Sequence, residues 1–281
     1  MAAADLEGKN ILITGANGGI GLETARALLA SGARVIITGR DASKTTSAVQ
    51  GLQEAGLSAI HSFGLDLAEP AEIQKLSTEL HQQIQRLDII IHNAGAFNMK
   101  RKTNSTGQEL TLAVNYLAPV LLTHLLQDLL PSDAGRVLMV SSMLHRKGKA
   151  EFSDMNAKQY YSGQQAYNNT KLWLTMYTNW LARQWRNRGV VVNSLHPGVI
   201  ATDIARDLPA VIRWPINLFL KTPRQGARTS IWAASSAEAG TLGGQYFNEC
   251  KAEQCAPSAN DERLQQELVT KTAELLGITL P

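Results

Sequence analysis

Cysteine is nearly missing: the 281 residues hold two, Cys250 and Cys255, in a Cys-x4-Cys spacing with no histidine nearby to complete a zinc set. A disulfide framework is thereby excluded, no metal is expected, and the two thiols read as reduced and structural. An excess of one charge is also missing, since 27 Lys and Arg against 24 Asp and Glu leave only +3. That is too little to imply nucleic acid. Residues 1–10 hold no apolar run of the kind that makes a signal peptide or an anchor, and 208–220 is too short to span a bilayer and is broken by Pro209, Arg213 and Pro215. With 44% hydrophobic and 18% charged residues the chain is too apolar for disorder, and no polar linker or repeat divides it. A single unit over 1–281, placed in the cytoplasm and without a transmembrane segment, is the expectation.

What is present is alternation. Residues 9–14 (Lys-Asn-Ile-Leu-Ile-Thr) form a β-branched apolar run that stops at Gly15-Ala16-Asn17-Gly18-Gly19-Ile20-Gly21, and an amphipathic stretch, 22–31, follows. A glycine turn between strand and helix lets backbone approach a pyrophosphate and aims helix N-terminal amides at it, because glycine accepts positive φ and has no Cβ. The second strand, 34–38, ends at Gly39-Arg40-Asp41. A guanidinium there suits a ribose 2′-phosphate, so Arg40 favours NADP(H), with NAD(H) still compatible; Asp41 reads as the N-cap of the next helix. Strands at 59–63, 87–91, 136–141 and 190–195 alternate with helices at 71–85, 105–130 and 164–188. Nearly all-apolar strands in βα repetition predict a doubly wound parallel sheet with helices on both faces, and ligands at the carboxyl ends of the strands.

Tyr167 is the one tyrosine of six followed four residues later by lysine, Lys171, and Ser142 lies upstream after an apolar run. A phenol titrating near 10 becomes a useful base at neutral pH only if the site favours phenolate by about 3 units, or about 4 kcal/mol. An ammonium at i+4 on the same helix face supplies part of that.

Taken together, Thr14-Gly15-x3-Gly19-Ile20-Gly21, Asp66, Asn93-Ala94-Gly95, Asn115, Ser142, Tyr167-x3-Lys171 and Pro197-Gly198 resemble the short-chain dehydrogenase/reductases over residues 7–250. Val114-Asn115-Tyr116-Leu117, the long insert between Ser142 and Tyr167, and Gly243-Gly244-Gln245-Tyr246-Phe247 are similar to the retinol dehydrogenase and WW-domain oxidoreductase branch. The resemblance implies a Rossmann-type single domain with Asn115, Ser142, Tyr167 and Lys171 as the catalytic set. Tyr167 would exchange the proton, Ser142 would hold the substrate oxygen, and Asn115 would help hold a water that relays protons to Lys171. Ser141 remains an alternative to Ser142, because neighbouring strand positions face opposite ways. Cofactor contacts would come from Gly15, Asn17, Gly18, Gly19, Ile20 and Gly21 at the diphosphate and from Arg40 at the 2′-phosphate. Asp66 and Leu67 would lie at the adenine, Asn93, Ala94 and Gly95 under the ribose. Tyr167 and Lys171 would reach the nicotinamide ribose, with Pro197, Gly198, Val199 and Thr202 at the carboxamide.

Segments 96–104, 143–165 and 200–221 should surround the reacting end. Phe97, Met99, Met143, Leu144, Met155, Trp214, Ile216, Leu218 and Phe219 suit a lipophilic carbonyl or alcohol. Lys100-Arg101-Lys102 and His145-Arg146-Lys147-Gly148-Lys149 read as solvated charge, with peripheral membrane contact left open, and His145 reads as a loop residue. Helices 105–130 and 164–188 are where relatives often pair, so a homo-oligomer stays open. A C-terminal extension, about 250–281, carries an amphipathic helix at 264–276 whose role the sequence does not give. A cofactor-binding scaffold without relevant catalysis is the competing reading; the complete catalytic set argues against it.

Overall fold

Period-two alternation in the central strands decides the layering. In a computed structural model describing residues 6–57, 60–198 and 222–281, β1 (Asn10–Ile13) sends Ile11 and Ile13 into one core and Leu12 into another on the opposite face. Strand β2 (Arg34–Gly39) repeats the split with Val35 and Ile37 against Ile36, and β4 (Ile89–His92) with Ile89 and Ile91 against Ile90. Sheets apolar on both faces must be covered on both. Helices α1 (Gly19–Leu29), α2 (Ala42–Glu54) and α7 (Pro223–Ser235) cover one side through Leu28, Leu52 and Trp232. On the other side α3 (Pro70–Gln83), α5 (Ala118–Leu126), α6 (Gly163–Gln184) and α8 (Glu262–Leu276) bring in Leu76, Leu122, Trp173 and Leu268.

Together with β3 (Ile60–Gly64), β5 (Arg136–Val140), β6 (Val191–His196), β7 (Tyr246–Asn248) and β8 (Lys251–Glu253), the described strands form one eight-stranded sheet in the order β3-β2-β1-β4-β5-β6-β7-β8. All neighbours pair in parallel except β7 with β8. The chain reverses direction of travel between β1 and β4. A crevice opens there at the carboxyl ends of the strands, where open α/β sheets bind ligands. The fold is the expected Rossmann-type α/β architecture, with one antiparallel edge strand added.

Three elements depart from the sequence-based expectation. The predicted helix 105–130 begins only at α4 (Leu110–Leu112), because Asn104 Oδ1 accepts from the amides of Thr106 (3.1 Å) and Gln108 (2.8 Å) and holds a turn instead. It then widens into a π-helical turn, Ala113–Leu117, before α5. Helix α7 went unforeseen although Thr222 and Gln225 form a capping box around Pro223; its buried face is mostly Gly226, Ala227, Ala233 and Ala234, too small to register as an apolar stripe. The β7–β8 hairpin turns through Glu249 (φ 48°) and Cys250 (φ 62°). A two-residue turn with both φ positive normally announces itself with Asn or Gly, and neither is there.

Candidate active site

At the crevice, Gly15 has φ +63° and passes so close to β4 that a Cβ would lie 2.9 Å from Ala94 Cα. A Cβ on Gly21 would meet Asn93 Nδ2 at 2.5 Å and Gly15 O at 2.7 Å. Over Gly18 and Gly19 the reverse holds, since an added Cβ would meet nothing within 4 Å. The turn is thus tight beneath and open above, and α1 starts there with no side-chain cap and no acidic residue in its first turn. Its first amides are left to a ligand, and a diphosphate fits that donor set. Gly15→Val is expected to abolish binding of a nicotinamide dinucleotide and to lower the unfolding temperature, readable by fluorescence titration and calorimetry; a stable variant that still binds would count against this cradle.

Asn17 Nδ2 donates to Thr45 Oγ1 (3.2 Å), which ties the turn to α2. Arg40 is exposed at the end of β2 with no ion-pair partner among the described residues, and Asp41 caps α2 by accepting from Lys44 N (3.1 Å). Asp66 is half-buried, its Oδ1 accepting from Ala68 N (2.9 Å), with Leu67 beside it packed on the core. Asn93 Nδ2 reaches back to Thr14 O (2.9 Å) and Gly15 O (3.1 Å), while Thr14 Oγ1 accepts from the amides of Asn93 and Ala94 (both 3.1 Å). Thr14 therefore locks the two strand ends that flank the crevice. In the sequence motif it precedes the glycine turn with no role of its own assigned to it. His92 is buried, hydrogen-bonded to Thr123 Oγ1 (2.8 Å), and held neutral because burial lowers its pKa to about 3.

Helix α6 carries Tyr167 and Lys171 on one face. The ammonium lies 5.6 Å from the phenol ring centroid and donates to Val140 O (2.8 Å) at the end of β5. The Tyr167 phenol faces Ser142, whose side chain lowers its pKa, and Phe97 packs edge-on against its ring at 5.8 Å. Ser141 is turned the other way, donating to Lys171 O (3.1 Å) and meeting Thr175 Oγ1 (3.0 Å), so geometry separates the two serines. Asn115 sits in the π turn, fully buried, with Oδ1 accepting from Ala96 N (2.6 Å) and Nδ2 donating to Ala96 O (2.9 Å). Its Nδ2 also reaches Thr170 Oγ1 (3.3 Å) on α6. A Cβ on Gly95 would lie 3.6 Å from Asn115 Oδ1 and 3.7 Å from Lys171 Nζ, which places those two groups around one point. Burial pushes the Tyr167 phenol above its ordinary value, and the Ser142 hydrogen bond pulls it part of the way back. Burial also lowers Lys171 to about 8. The protein scaffold by itself disfavours both charges.

Around the mouth, Met99 and Met143 are exposed. Met155 instead packs into the core with Phe152 and lines a cleft apart from this mouth. Pro197 and Gly198 (φ +92°) follow β6, whereas Val199, Thr202, Trp214, Ile216, Leu218 and Phe219 lie outside the described residues. A separate cleft of about 370 Å³, between Glu109, Tyr160 and Trp173, lies on another face of α6 and is lined by none of the four candidate catalytic residues. Among the described residues no helix is long and apolar enough to cross a membrane.

A nucleotide crevice at a strand-order reversal, with a Tyr-Lys pair on the following long helix, defines a nicotinamide-dependent oxidoreductase architecture. Residues 9–211 match the short chain dehydrogenase family, and the chain belongs to it. Retinol dehydrogenase 14 of Homo sapiens is 37% identical over 97% of this chain and 88% of its own length. Retinol dehydrogenase 12 of Homo sapiens is 36% identical over the same shares. Among solved structures, an uncharacterised protein from Mycobacterium paratuberculosis superposes with a TM-score of 0.83 at 26% identity, covering 100% of this chain and 97% of that one. A short chain dehydrogenase from Burkholderia cenocepacia in complex with NADP gives 0.70 at 26% identity, with 86% and 96% covered. The chain is thus a retinol dehydrogenase-like oxidoreductase acting on the alcohol/carbonyl pair.

Proposed function

We propose that the protein is an NADPH-dependent carbonyl reductase for lipophilic substrates, with Tyr167 as the proton donor. The observation that carries this reading is the set Ser142, Tyr167 and Lys171, with Tyr167 facing Ser142 and the Lys171 ammonium 5.6 Å from the phenol ring. A bound nicotinamide cofactor supplies or accepts the hydride. Everything else falls to the chain. Ser142 Oγ donates to the substrate oxygen and fixes it beside the Tyr167 hydroxyl, the phenol gives up its proton as negative charge grows on that oxygen, and Lys171 steadies the phenolate left behind. A phenol pushed up by burial is protonated at pH 7 and suits the donor role in the reductive direction. Asn115 holds the Ala96 backbone and α6 in register around the same point, and it is placed to hold a relay water beside Lys171. Gly15 to Gly21, Asp66, Leu67, Asn93 to Gly95 and Pro197 to Gly198 form the cofactor bed in this reading, while Val199 and Thr202 lie outside the described residues.

Lipophilicity rests on Phe97, Met99 and Met143 at the mouth and on the retinol dehydrogenase relatives, which make retinoid alcohols and aldehydes the first class to try. NADPH consumption across ketones, aldehydes, steroids, retinoids and quinones tests the reading. Turnover of at least one class above a Tyr167→Phe control is expected; tight NADPH binding with no turnover of any class would favour the scaffold reading. The Arg40 guanidinium, exposed and without an ion-pair partner among the described residues, supports NADPH over NADH. Arg40→Ala is expected to cut the NADPH-to-NADH preference by about tenfold or more, equivalent to about 1.4 kcal/mol. An unchanged ratio would remove Arg40 from the site.

A further inference from the structure

His145 lies three residues beyond Ser142 in a short 3-10 turn, Met143–Lys147, and is wholly buried. Its two ring nitrogens meet partners of opposite kind. Nδ1 lies 2.7 Å from the Ser142 carbonyl oxygen, which can only accept, and Nε2 lies 3.0 Å from the Ala256 backbone amide, which can only donate. One protonation state satisfies both, the neutral ring with its hydrogen on Nδ1. The imidazole also packs on the Tyr246 ring with centroids 4.6 Å apart.

The anchor on the far side is firm. Ala256 and Ala259 are buried in the core, Asn179 of α6 donates to Ala259 O (3.1 Å) and Asn260 Oδ1 (2.9 Å), and Arg146 binds Gln254 O. At the near side, the Ser142 carbonyl is held by His145 while its hydroxyl faces Tyr167. From this we infer that His145 is a positioning residue, tying Ser142 to the C-terminal segment 254–260 and thereby fixing where the serine hydroxyl points. The inference rests on the proposed role of Ser142, and it makes the C-terminal extension the wall against which the substrate-orienting serine is braced. Burial lowers the His145 pKa, the Ser142 carbonyl opposes that and Arg146 adds to it, which keeps the ring neutral at pH 7. The other ionisable group packed on the ring is Tyr246.

Two substitutions separate the halves of the bridge. His145→Asn sets an amide N–H where Nδ1 stands and keeps the bond to Ser142, while His145→Gln sets a carbonyl oxygen where Nε2 stands and keeps only the bond to Ala256. A purely structural histidine would lower the unfolding temperature in both variants, since each loses one buried hydrogen bond, and leave kcat within about threefold of the parent. A positioning role predicts that both variants lower kcat by about tenfold or more with KM for NADPH unchanged, since a break at either end frees Ser142 from its brace. A parent-like kcat in either variant overturns it. Nitrogen-15 NMR of histidine-labelled protein, with the His145 signal assigned by its loss in His145→Asn, reads the bridge independently of turnover. The Nδ1–H tautomer at pH 7 is expected, and an Nε2–H or charged ring refutes the bridge. Should no carbonyl be reduced by the parent protein, the proposed function fails while the NMR result still decides the bridge.

Discussion

Tyr167→Phe is expected to lower kcat for carbonyl reduction by about 10²- to 10⁴-fold while leaving NADPH affinity within a few-fold of the parent. The substitution deletes one oxygen, the atom that faces Ser142, and keeps the ring that packs edge-on against Phe97. Packing and the cofactor bed are therefore retained, and the proton is lost. Because the hydroxyl acts only as charge develops on the substrate oxygen, its removal should appear in kcat and kcat/KM equally, and not as a change in KM alone. Stopped-flow NADPH oxidation and fluorescence titration of the cofactor give both quantities. Near-normal kcat would end the assignment of Tyr167 as the acid.

Lys171→Met is expected to abolish turnover and yet raise the unfolding temperature of the cofactor-free protein. The lysine is buried and its folded pKa is lowered to about 8 from 10.5, so at pH 7 the charged ammonium is tolerated at a cost of about 3 kcal/mol. That penalty is fully present below pH 8, where folded and unfolded chains both carry the proton. Between 8 and 10.5 the unfolded chain holds the proton and the folded one does not, so the parent gains stability as pH rises through that window. Methionine fills a similar volume without charge and forfeits the bond to Val140 O, about 1 kcal/mol, leaving a gain of about 2 kcal/mol. Calorimetry at pH 7 should show a rise of several degrees, and the parent's extra gain between pH 8 and 10.5 should vanish in the variant. A variant that melts lower at pH 7 would mean that the ammonium is a net stabiliser of the fold. Such a trade of stability for a poised charge is the usual condition of active-site groups.

Much of this was legible in the chain. The strand-glycine turn-helix order, the alternation of Ile11, Leu12 and Ile13, and the Tyr167-x3-Lys171 spacing each have a local cause, a backbone that needs glycine or a face that needs period two or four, and local causes are written in neighbouring residues. Asp41 was readable as a cap for the same reason. The π turn at Asn115, the small-residue face of α7 and the Glu249-Cys250 turn were not, because tertiary packing enforces what local propensity does not favour. His145 shows the limit most clearly. As a sequence it is a histidine in a basic cluster, and its partner Ala256 is 111 residues away.

The sequence by itself determined the parallel α/β layering, the nucleotide turn and which residue types could move a proton, since periodicity, glycine conformations and side-chain chemistry are local properties. Only the tertiary structure decided which of Ser141 and Ser142 faces Tyr167, that burial opposes both the phenolate and the ammonium, and that Ala256 of the C-terminal segment is hydrogen-bonded to His145. Those depend on desolvation and on contacts between segments far apart in the chain, and neither quantity exists until the chain is packed.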